Sequence, residues 1–305
     1  MSTARKPNFF IIGAPKCGTS SLINTLRWHP NVYVPLVFEP QYFCTDFQYI
    51  AQSHYTQESY LQLFDAVTDE QTAVGEKSVI YLYSEVAVDN ILKLDPDARL
   101  IVMLRNPADL VYSWHSQLYY TFLEDIKDFA TAWAMQERRS HGENIPERCH
   151  APFALQYREI GQLGKYMRRL YAKVPRDQVK VIFMEDFHAD ANQVYKETLE
   201  FLDVPYIPPR DPRRLNSNKR NRFRWLGSAL AHDSTTRTSK VFDKFEKLPL
   251  IRKFTIRHWL HEWNKIEYKR SPLTPELRQM LIEEFRSDIS DLSQLTGHDL
   301  SHWLR

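Results

Sequence analysis

Apolar residues follow two patterns along this chain, continuous runs and repeats at helical spacing. Continuous apolar runs are typical of strands that are buried on both faces. They predict strands at 9–12, 99–104 and 179–184, and a further strand at 73–81 that runs into a loop. The helical repeats predict helices that reach residue 28, that cover 86–94, 154–171 and 192–202, and that begin at Pro107 and after Thr274. Because strands alternate with helices, the sequence predicts an α/β fold with a central parallel sheet of about five strands, flanked by helices.

The length of 305 residues is compatible with one domain, 1–305, that carries a less regular helical and loop insertion at about 205–272. A hydrophobic fraction of 43% and a mean hydropathy of −0.49 are typical of a soluble globular protein. The N-terminus enters the first strand at once, which leaves no room for a signal peptide or for an anchor of about 20 apolar residues. We therefore expect a cytoplasmic protein with no transmembrane segment.

Charge and cysteine content narrow the function further. Lys and Arg number 40 and Asp and Glu number 38, so the molecule has no global basic field that would draw it to nucleic acid. Cys17, Cys44 and Cys149 are three widely spaced residues, which fits neither a disulfide framework nor a metal site.

The loop after the first strand predicts an anion site. Gly13, Pro15 and Gly18 end the strand, and Thr19 or Ser20 is predicted to cap the following helix. Backbone N–H groups, the positive helix end and the Lys16 ammonium then converge on one point, which suits a phosphate. An ordinary βα turn with an incidental glycine and lysine is the alternative interpretation.

This loop is P-loop-like, and the predicted architecture is a P-loop-like three-layer fold. Gly13 and Gly18 have the G-x-x-x-x-G spacing, but Thr19 and Ser20 follow where a nucleoside triphosphate site has Lys and Ser or Thr. The lysine lies at position 16 instead. A P-loop nucleotide kinase would need a lysine after Gly18 and an acid for magnesium, and neither is evident.

The segment Pro15–Leu22 resembles the P-K-x-G-T-[ST]-[ST]-L loop of sulfotransferases that use 3′-phosphoadenosine 5′-phosphosulfate (PAPS). The resemblance implies that the loop holds the 5′-phosphate and the sulfuryl group. The residues implied are Lys16, Gly18, Thr19, Ser20 and Ser21, together with Cys17, whose side chain is expected to be a small filler of the loop.

A second motif follows the predicted strand 99–104. Arg105 and Ser113 match the R-[ND]-P-x-[DE]-x-x-x-S signature that binds the 3′-phosphate in this family. The planar guanidinium of Arg105 can grip a phosphate through two parallel hydrogen bonds. The alternative is an arginine at a strand end and a serine in a helix, without a shared ligand.

Two weaker motifs resemble the heparan sulfate and carbohydrate type of sulfotransferase. Glu39-Pro-Gln-Tyr-Phe is similar to [K/N]-E-x-x-[YF]-F, which implies that Glu39 is the catalytic base, although Phe38 departs from the pattern. Glu76-Lys77-Ser78 with Tyr81 is similar to E-K-[ST]-P-x-Y, which implies that Lys77 balances charge at the sulfuryl group. Without the resemblance, a solvated glutamate and a surface lysine are the simpler interpretations.

The basic run at 210–224 allows three interpretations, namely a solvated face, a nucleic-acid contact or a nucleotide-closing loop. The resemblance implies the third, since sulfotransferases carry a basic loop that closes over the adenosine and the 3′-phosphate. Arg222, then Arg220 and Lys219, are the predicted contacts.

Together these motifs predict transfer of the sulfuryl group of PAPS to a hydroxyl or amine, with release of 3′,5′-adenosine bisphosphate and no metal ion. The expected acceptor is a carbohydrate, a glycolipid or another small molecule, and aromatic residues 42, 43, 47, 114, 119 and 120 are candidates to flank it. A P-loop nucleotide kinase-like enzyme and a nucleic-acid-binding protein are the alternatives.

Overall fold

The computed structural model describes residues 6–37, 39–47, 55–209, 219–223, 226, 259–260, 263–267 and 270–305. Its main sheet contains β1 (Phe9–Gly13), β2 (Val32–Tyr33), β3 (Ala73–Lys77), β4 (Arg99–Leu104) and β5 (Val179–Phe183). The strands run parallel in the order β2-β3-β1-β4-β5. The predicted α/β fold with a central parallel sheet of five strands is confirmed.

Helices flank the sheet, and short 3-10 turns join several of them. The α-helices of five or more described residues are α1 (Thr19–Arg27), α2 (Gln57–Leu61), α3 (Ala87–Leu94), α4 (Pro107–Tyr120), α5 (Phe129–Ala134), α6 (Gln136–Ser140), α7 (Tyr157–Gly161), α8 (Leu163–Tyr171), α9 (Met184–Ala189), α10 (Ala191–Phe201) and α11 (Pro275–Thr296). The 3-10 turns are Gln62–Phe64, Val79–Leu82, Pro152–Leu155, Arg176–Gln178 and Ser301–Leu304.

Strand β1 is the centre of the sheet, and every residue in it is buried. It lies between β3 and β4, where Phe9 is in register with Gly75 and with Arg99. A side chain at Gly75 would place Cβ 2.4 Å from the carbonyl oxygen of Phe9, so this close approach requires glycine. Because β3, β1 and β4 are parallel neighbours, their carboxyl ends lie at the same edge of the sheet, which is where ligands of parallel sheets bind.

The structure corrects three local predictions. The helix predicted at 154–171 is broken at Gln162 into α7 and α8, because the Asp288 carboxylate on α11 accepts hydrogen bonds from the N–H groups of Gly164 and Lys165 at 2.8 and 2.9 Å and so caps α8. The stretch 73–81, predicted as a strand that runs into a loop, is strand β3 as far as Lys77 and is followed by the 3-10 turn Val79–Leu82. The edge strand β2 was not predicted, since prolines interrupt the apolar pattern around it.

The predicted insertion at about 205–272 lies mostly outside the described residues. Within it, β6 (Lys219–Asn221) and β7 (Lys265–Glu267) form an antiparallel pair. In the described ranges we find neither a helix with the length and apolar character needed to cross a bilayer nor a group of three or more His, Cys, Asp and Glu residues arranged to hold a metal ion.

Candidate active site

A cavity of about 1030 Å³ opens where β1, β3, β4 and β5 end. The loop after β1, the turn after β3 and the start of α4 all contribute to its wall. The predicted site residues that line it are Lys16, Gly18, Thr19, Ser20, Ser21, Glu39, Lys77, Arg105 and Ser113. Residues that lie up to 97 positions apart in the sequence are thus brought to one cavity by the sheet order.

The loop between β1 and α1 ends in a glycine cap. Gly18, not Thr19 or Ser20 as predicted, occupies the N-cap position of α1, with φ 87° in the left-handed region that glycine adopts most easily. A glycine cap brings no side-chain oxygen to the first turn, whereas a Ser or Thr cap would satisfy one of its N–H groups. The N-terminus of α1 therefore keeps its anion-binding capacity at the cavity wall.

The Lys16 side chain lies inside the cavity. Its Nζ atom donates a hydrogen bond to Gln117 Oε1 on α4 at 3.2 Å. Burial, together with the positive charges of Arg270 and Arg105, lowers the pKa of Lys16 to about 8. An ammonium in such a position is stabilised by an incoming anion.

Arg105 joins the two predicted phosphate sites. Its Nη1 atom donates to the backbone carbonyl oxygen of Lys16 at 3.1 Å, and its Nη2 atom lies 3.9 Å from Asp109 Oδ2. Ser113, on the same helix as Asp109, is buried and lines the cavity. The turn after β1 and the turn after β4 are therefore direct neighbours.

Lys77 and Glu39 form a close ion pair at the end of β3. Lys77 Nζ lies 2.6 Å from Glu39 Oε1, and it also donates to Ser20 Oγ at 3.4 Å. Gln41 Nε2 donates to Glu39 Oε2 at 3.4 Å. The lysine side chain is 3% exposed and the glutamate 13% exposed, so this pair is well shielded from solvent but reachable from the cavity.

Other predicted contacts are not among the described residues that line the cavity. The Cys17 thiol is fully buried, it donates to the Pro15 carbonyl oxygen at 3.4 Å, and burial raises its pKa to about 12. This placement agrees with a filler role and not with ligand contact by the thiol. The Arg222 guanidinium lies over the Trp263 ring at 4.9 Å, and the side chains of Lys219 and Arg220 lie outside the described part of the chain.

Only some of the aromatic residues predicted to flank the acceptor line the cavity. Trp114 lines the cavity, and its Nε1 atom donates to the Ala154 carbonyl oxygen at 2.8 Å. Tyr42 instead stacks on Tyr60 at 4.3 Å between ring centroids, and Phe43 is buried in the core. These two rings therefore serve packing.

Arg270 and Gln117 are cavity residues that sequence reasoning missed. The Arg270 guanidinium stacks on Tyr112 at 4.1 Å and donates to Ser116 Oγ at 3.3 Å. Gln117 had a signal in the sequence, since it lies four residues after Ser113 and so shares its helix face. Arg270 had none, because no motif or clear periodicity surrounds it.

Comparisons with known proteins agree on one family. A family model described as a sulfotransferase domain matches residues 6–293. Rat carbohydrate sulfotransferase 15 is 24% identical over 252 residues, which cover 65% of this chain and 44% of that protein. Human bifunctional heparan sulfate N-deacetylase/N-sulfotransferase 3 is 28% identical over 214 residues, which cover 66% of this chain and 22% of that protein. This chain therefore spans less than half the length of either relative.

A solved structure has the same fold as the described part of this chain. The crystal structure of a sulfotransferase from Alicyclobacillus acidocaldarius superposes with a TM-score of 0.73 at 27% sequence identity. The match covers 99% of this chain and 100% of that one.

Proposed function

This chain belongs to the sulfotransferase domain family, and from that premise we propose that it transfers the sulfuryl group of PAPS to a hydroxyl or amine and releases 3′,5′-adenosine bisphosphate. One observation carries the proposal most directly. The Arg105 guanidinium is hydrogen-bonded to the Lys16 carbonyl oxygen at 3.1 Å, so the two residues proposed to bind phosphate are neighbours in one cavity. A nucleotide with a phosphate at each end of its ribose fits that spacing of charge.

The nucleotide would lie along the cavity with its 5′ end at the N-terminus of α1. Lys16 and the first residues of α1 would bind the 5′-phosphosulfate, while Arg105 and Ser113 would bind the 3′-phosphate. Further along the cavity wall, Phe187 and Tyr195 offer aromatic rings against which an adenine can pack.

The catalytic step we propose uses Glu39 as the general base. Glu39 takes the proton of the acceptor, the acceptor oxygen or nitrogen forms a bond to sulfur, and the bond from sulfur to the bridging phosphate oxygen breaks. Lys16 and Lys77 stabilise the negative charge that develops on that leaving oxygen. Because these ammonium groups supply the positive charge, we propose a reaction without a metal ion.

The acceptor side of the cavity favours a partly apolar molecule. Val37, Val79, Trp114 and Leu118 contribute to the wall, together with the uncharged Gln41 and Thr121. A hydroxyl or amine carried on a sugar, a glycolipid or another small molecule with an apolar face fits such a wall. The names of the two relatives support a saccharide as the first acceptor to test.

The test combines binding with transfer. We expect 3′,5′-adenosine bisphosphate to bind tightly in calorimetry and radiolabelled PAPS to give labelled product with at least one acceptor from a panel of saccharides, glycolipids and phenols. A parallel assay replaces labelled PAPS with labelled ATP, which is the phosphate donor that a nucleotide kinase would use. Absence of bisphosphate binding, or phosphate transfer from ATP, would contradict the proposal.

A further inference from the structure

Glu76 is a fully enclosed carboxyl group beside the candidate active site. It lies on β3 directly before Lys77, it is 1% exposed, and it does not line the cavity. Three hydroxyl groups donate to it: Tyr81 at 2.8 Å and Tyr60 at 3.1 Å to Oε1, and Ser78 at 2.7 Å to Oε2. A buried carboxyl with this many donors is held in one orientation.

Two of these hydroxyls also accept hydrogen bonds from the segment that carries Glu39. The Gln41 N–H donates to Ser78 Oγ at 2.9 Å, and the Phe43 N–H donates to the Tyr81 hydroxyl at 3.3 Å. A hydroxyl has one hydrogen to donate and lone pairs with which to accept. Each hydroxyl therefore relays a bond from a backbone N–H of this segment to the Glu76 carboxylate.

The direction of this relay depends on the carboxylate. An ionised carboxylate only accepts, so both hydroxyls must turn their hydrogens toward Glu76 and their lone pairs toward the N–H groups of residues 41 and 43. A carboxamide at position 76 would present N–H groups on one side. At least one hydroxyl would then lose its partner or reverse its direction.

Residues 41–43 in turn control the position of Glu39. Gln41 has a left-handed backbone, with φ 54°, and its side chain donates to Glu39 Oε2 at 3.4 Å. The other carboxylate oxygen of Glu39 lies 2.6 Å from Lys77 Nζ. Glu76 and Lys77, adjacent on one strand, thus approach Glu39 from two sides, one through the relay and one directly.

We propose that Glu76 is a positioning residue for the reaction, and that its carboxylate orients the Ser78 and Tyr81 hydroxyls so that they hold the segment carrying Glu39 at the cavity. This inference rests on the proposed function for its effect on rate. The hydrogen-bond relay itself exists whether or not the protein transfers sulfate.

The pKa of Glu76 determines the pH at which the proposal should be tested. Burial raises the pKa of Glu76 to about 7, against the opposing effect of its hydroxyl donors. The titratable groups that face it are Tyr60, Tyr81, Glu39 and Cys44. Measurements at about pH 8 therefore have the carboxylate in its ionised form.

The first variant is Glu76→Gln, which keeps the shape and removes the charge. We expect backbone hydrogen exchange to become faster at Gln41, at Phe43 or at both, because at least one of the two N–H groups loses its oriented acceptor. We expect kcat to fall by about 10- to 100-fold, the loss typical of a small displacement of a catalytic group. Affinity for 3′,5′-adenosine bisphosphate should stay within about twofold.

Two further variants separate positioning from general stability. Tyr60→Phe removes a hydroxyl that donates to Glu76 but does not accept from residue 41 or 43, so exchange at both amides and kcat should change little. Tyr81→Phe keeps the ring and removes one relay, so exchange should accelerate at Phe43 and remain slow at Gln41. This second result stays readable if Glu76→Gln fails to fold.

A double substitution supplies the decisive rate measurement. If Glu76 acts through Glu39, Glu76→Gln should cause no further loss of kcat in a Glu39→Gln background, whereas a merely structural role would add its own loss. Unchanged amide exchange at residues 41 and 43 in both Glu76→Gln and Tyr81→Phe, or additive losses of kcat, would overturn the proposal. Failure of the parent protein to bind 3′,5′-adenosine bisphosphate would instead overturn the proposed function, and the exchange measurement would still decide the relay.

Discussion

Arg105 donates a hydrogen bond to the backbone carbonyl oxygen of Lys16, 89 positions earlier in the chain, at 3.1 Å. The contact crosses from the end of β4 to the end of β1, which are adjacent strands. We therefore expect one small ligand to carry both the phosphate that Arg105 binds and the phosphate that the loop around Lys16 binds. This relationship makes the first prediction.

Removal of the Arg105 side chain should weaken binding selectively. In Arg105→Ala, we expect affinity for 3′,5′-adenosine bisphosphate to fall by about 10- to 100-fold, because charged hydrogen bonds to the 3′-phosphate are lost. Affinity for adenosine 5′-phosphosulfate, which lacks that phosphate, should change much less. Calorimetry with both ligands measures the difference. Arg99→Ala, at the other end of the strand that precedes Arg105, is the control, because Arg99 pairs with Asp203. Equal losses for the two ligands would contradict the assignment.

Nucleotide binding should take up protons in mildly basic solution. The Lys16 pKa is lowered to about 8, so part of the population is neutral at and above that pH before the ligand binds. An anion beside Lys16 favours the ammonium and raises its pKa, so binding adds a proton and weakens as the pH rises above about 8. Calorimetry in buffers with different ionisation enthalpies counts the protons.

Two variants test the origin of that uptake. Arg270→Gln removes a neighbouring positive charge, so the pKa of Lys16 should rise and the proton uptake near pH 8 should shrink. Lys16→Met should abolish it. Persistent uptake in Lys16→Met would assign the proton to another group.

Glu39→Gln should separate binding from catalysis. The amide cannot accept the acceptor proton as a carboxylate does, so we expect kcat to fall by about 100- to 10,000-fold while 3′,5′-adenosine bisphosphate still binds. Glu58→Gln, at an exposed position on α2, provides the matched control and should leave the rate unchanged. Near-normal turnover in Glu39→Gln would place the base elsewhere.

Glu124→Gln should destabilise the protein strongly. Glu124 accepts two hydrogen bonds from Arg139, at 2.6 and 2.8 Å, and one from Tyr157 at 2.5 Å, and the ion pair is fully buried. The neutral amide leaves the Arg139 charge without its buried partner, since Asp125 at 3.7 Å is exposed. We expect this to lower the free energy of unfolding by about 3–5 kcal/mol. Urea denaturation measures this change. Glu200→Gln, in an exposed pair with Lys196, should change it by less than about 1 kcal/mol.

The contribution of Glu124 to the free energy of unfolding should depend on pH in the acid range. Burial alone would raise the pKa of Glu124, but hydrogen bonds from Arg139 and Tyr157 outweigh burial and lower the pKa to about 2. Since the folded pKa is below the unfolded value, this stabilisation is complete above about pH 4.5 and is lost as the pH falls toward 2. Acid titration of Glu124→Gln should lack that component, and an identical acid transition in both proteins would contradict it.

Local motifs predicted most of the cavity because each one joins a strand to the turn that follows it. Lys16 and Arg105 come directly after β1 and β4, and Lys77 ends β3, so a parallel sheet places all three at one edge. Once these three strands are neighbours in the sheet, the position of each residue in the sequence is enough to place it at the cavity. The interpretation of Glu39 rested on resemblance alone, yet the structure pairs it with Lys77 at 2.6 Å.

Features that depend on contacts between distant segments were not predictable. The break between α7 and α8 is fixed by Asp288, more than 120 positions away from the backbone groups that it caps. Arg270 enters the cavity by stacking on Tyr112, a contact without any local pattern. The cap of α1 was predicted from residue preference, but the tight turn favoured glycine over Thr19 and Ser20.

Helix α4 contributes Ser113, Trp114, Gln117 and Leu118 to the cavity wall. In the proposed function, Ser113 and Gln117 would face the nucleotide, and Trp114 and Leu118 would face the acceptor. A substitution that tilts α4 should therefore change the binding of the sulfuryl donor and of the acceptor together. Among the described residues, Val37, Gln41, Thr121 and Leu123 line the cavity outside α4. We therefore expect a library at these four positions to change acceptor preference with little effect on nucleotide binding.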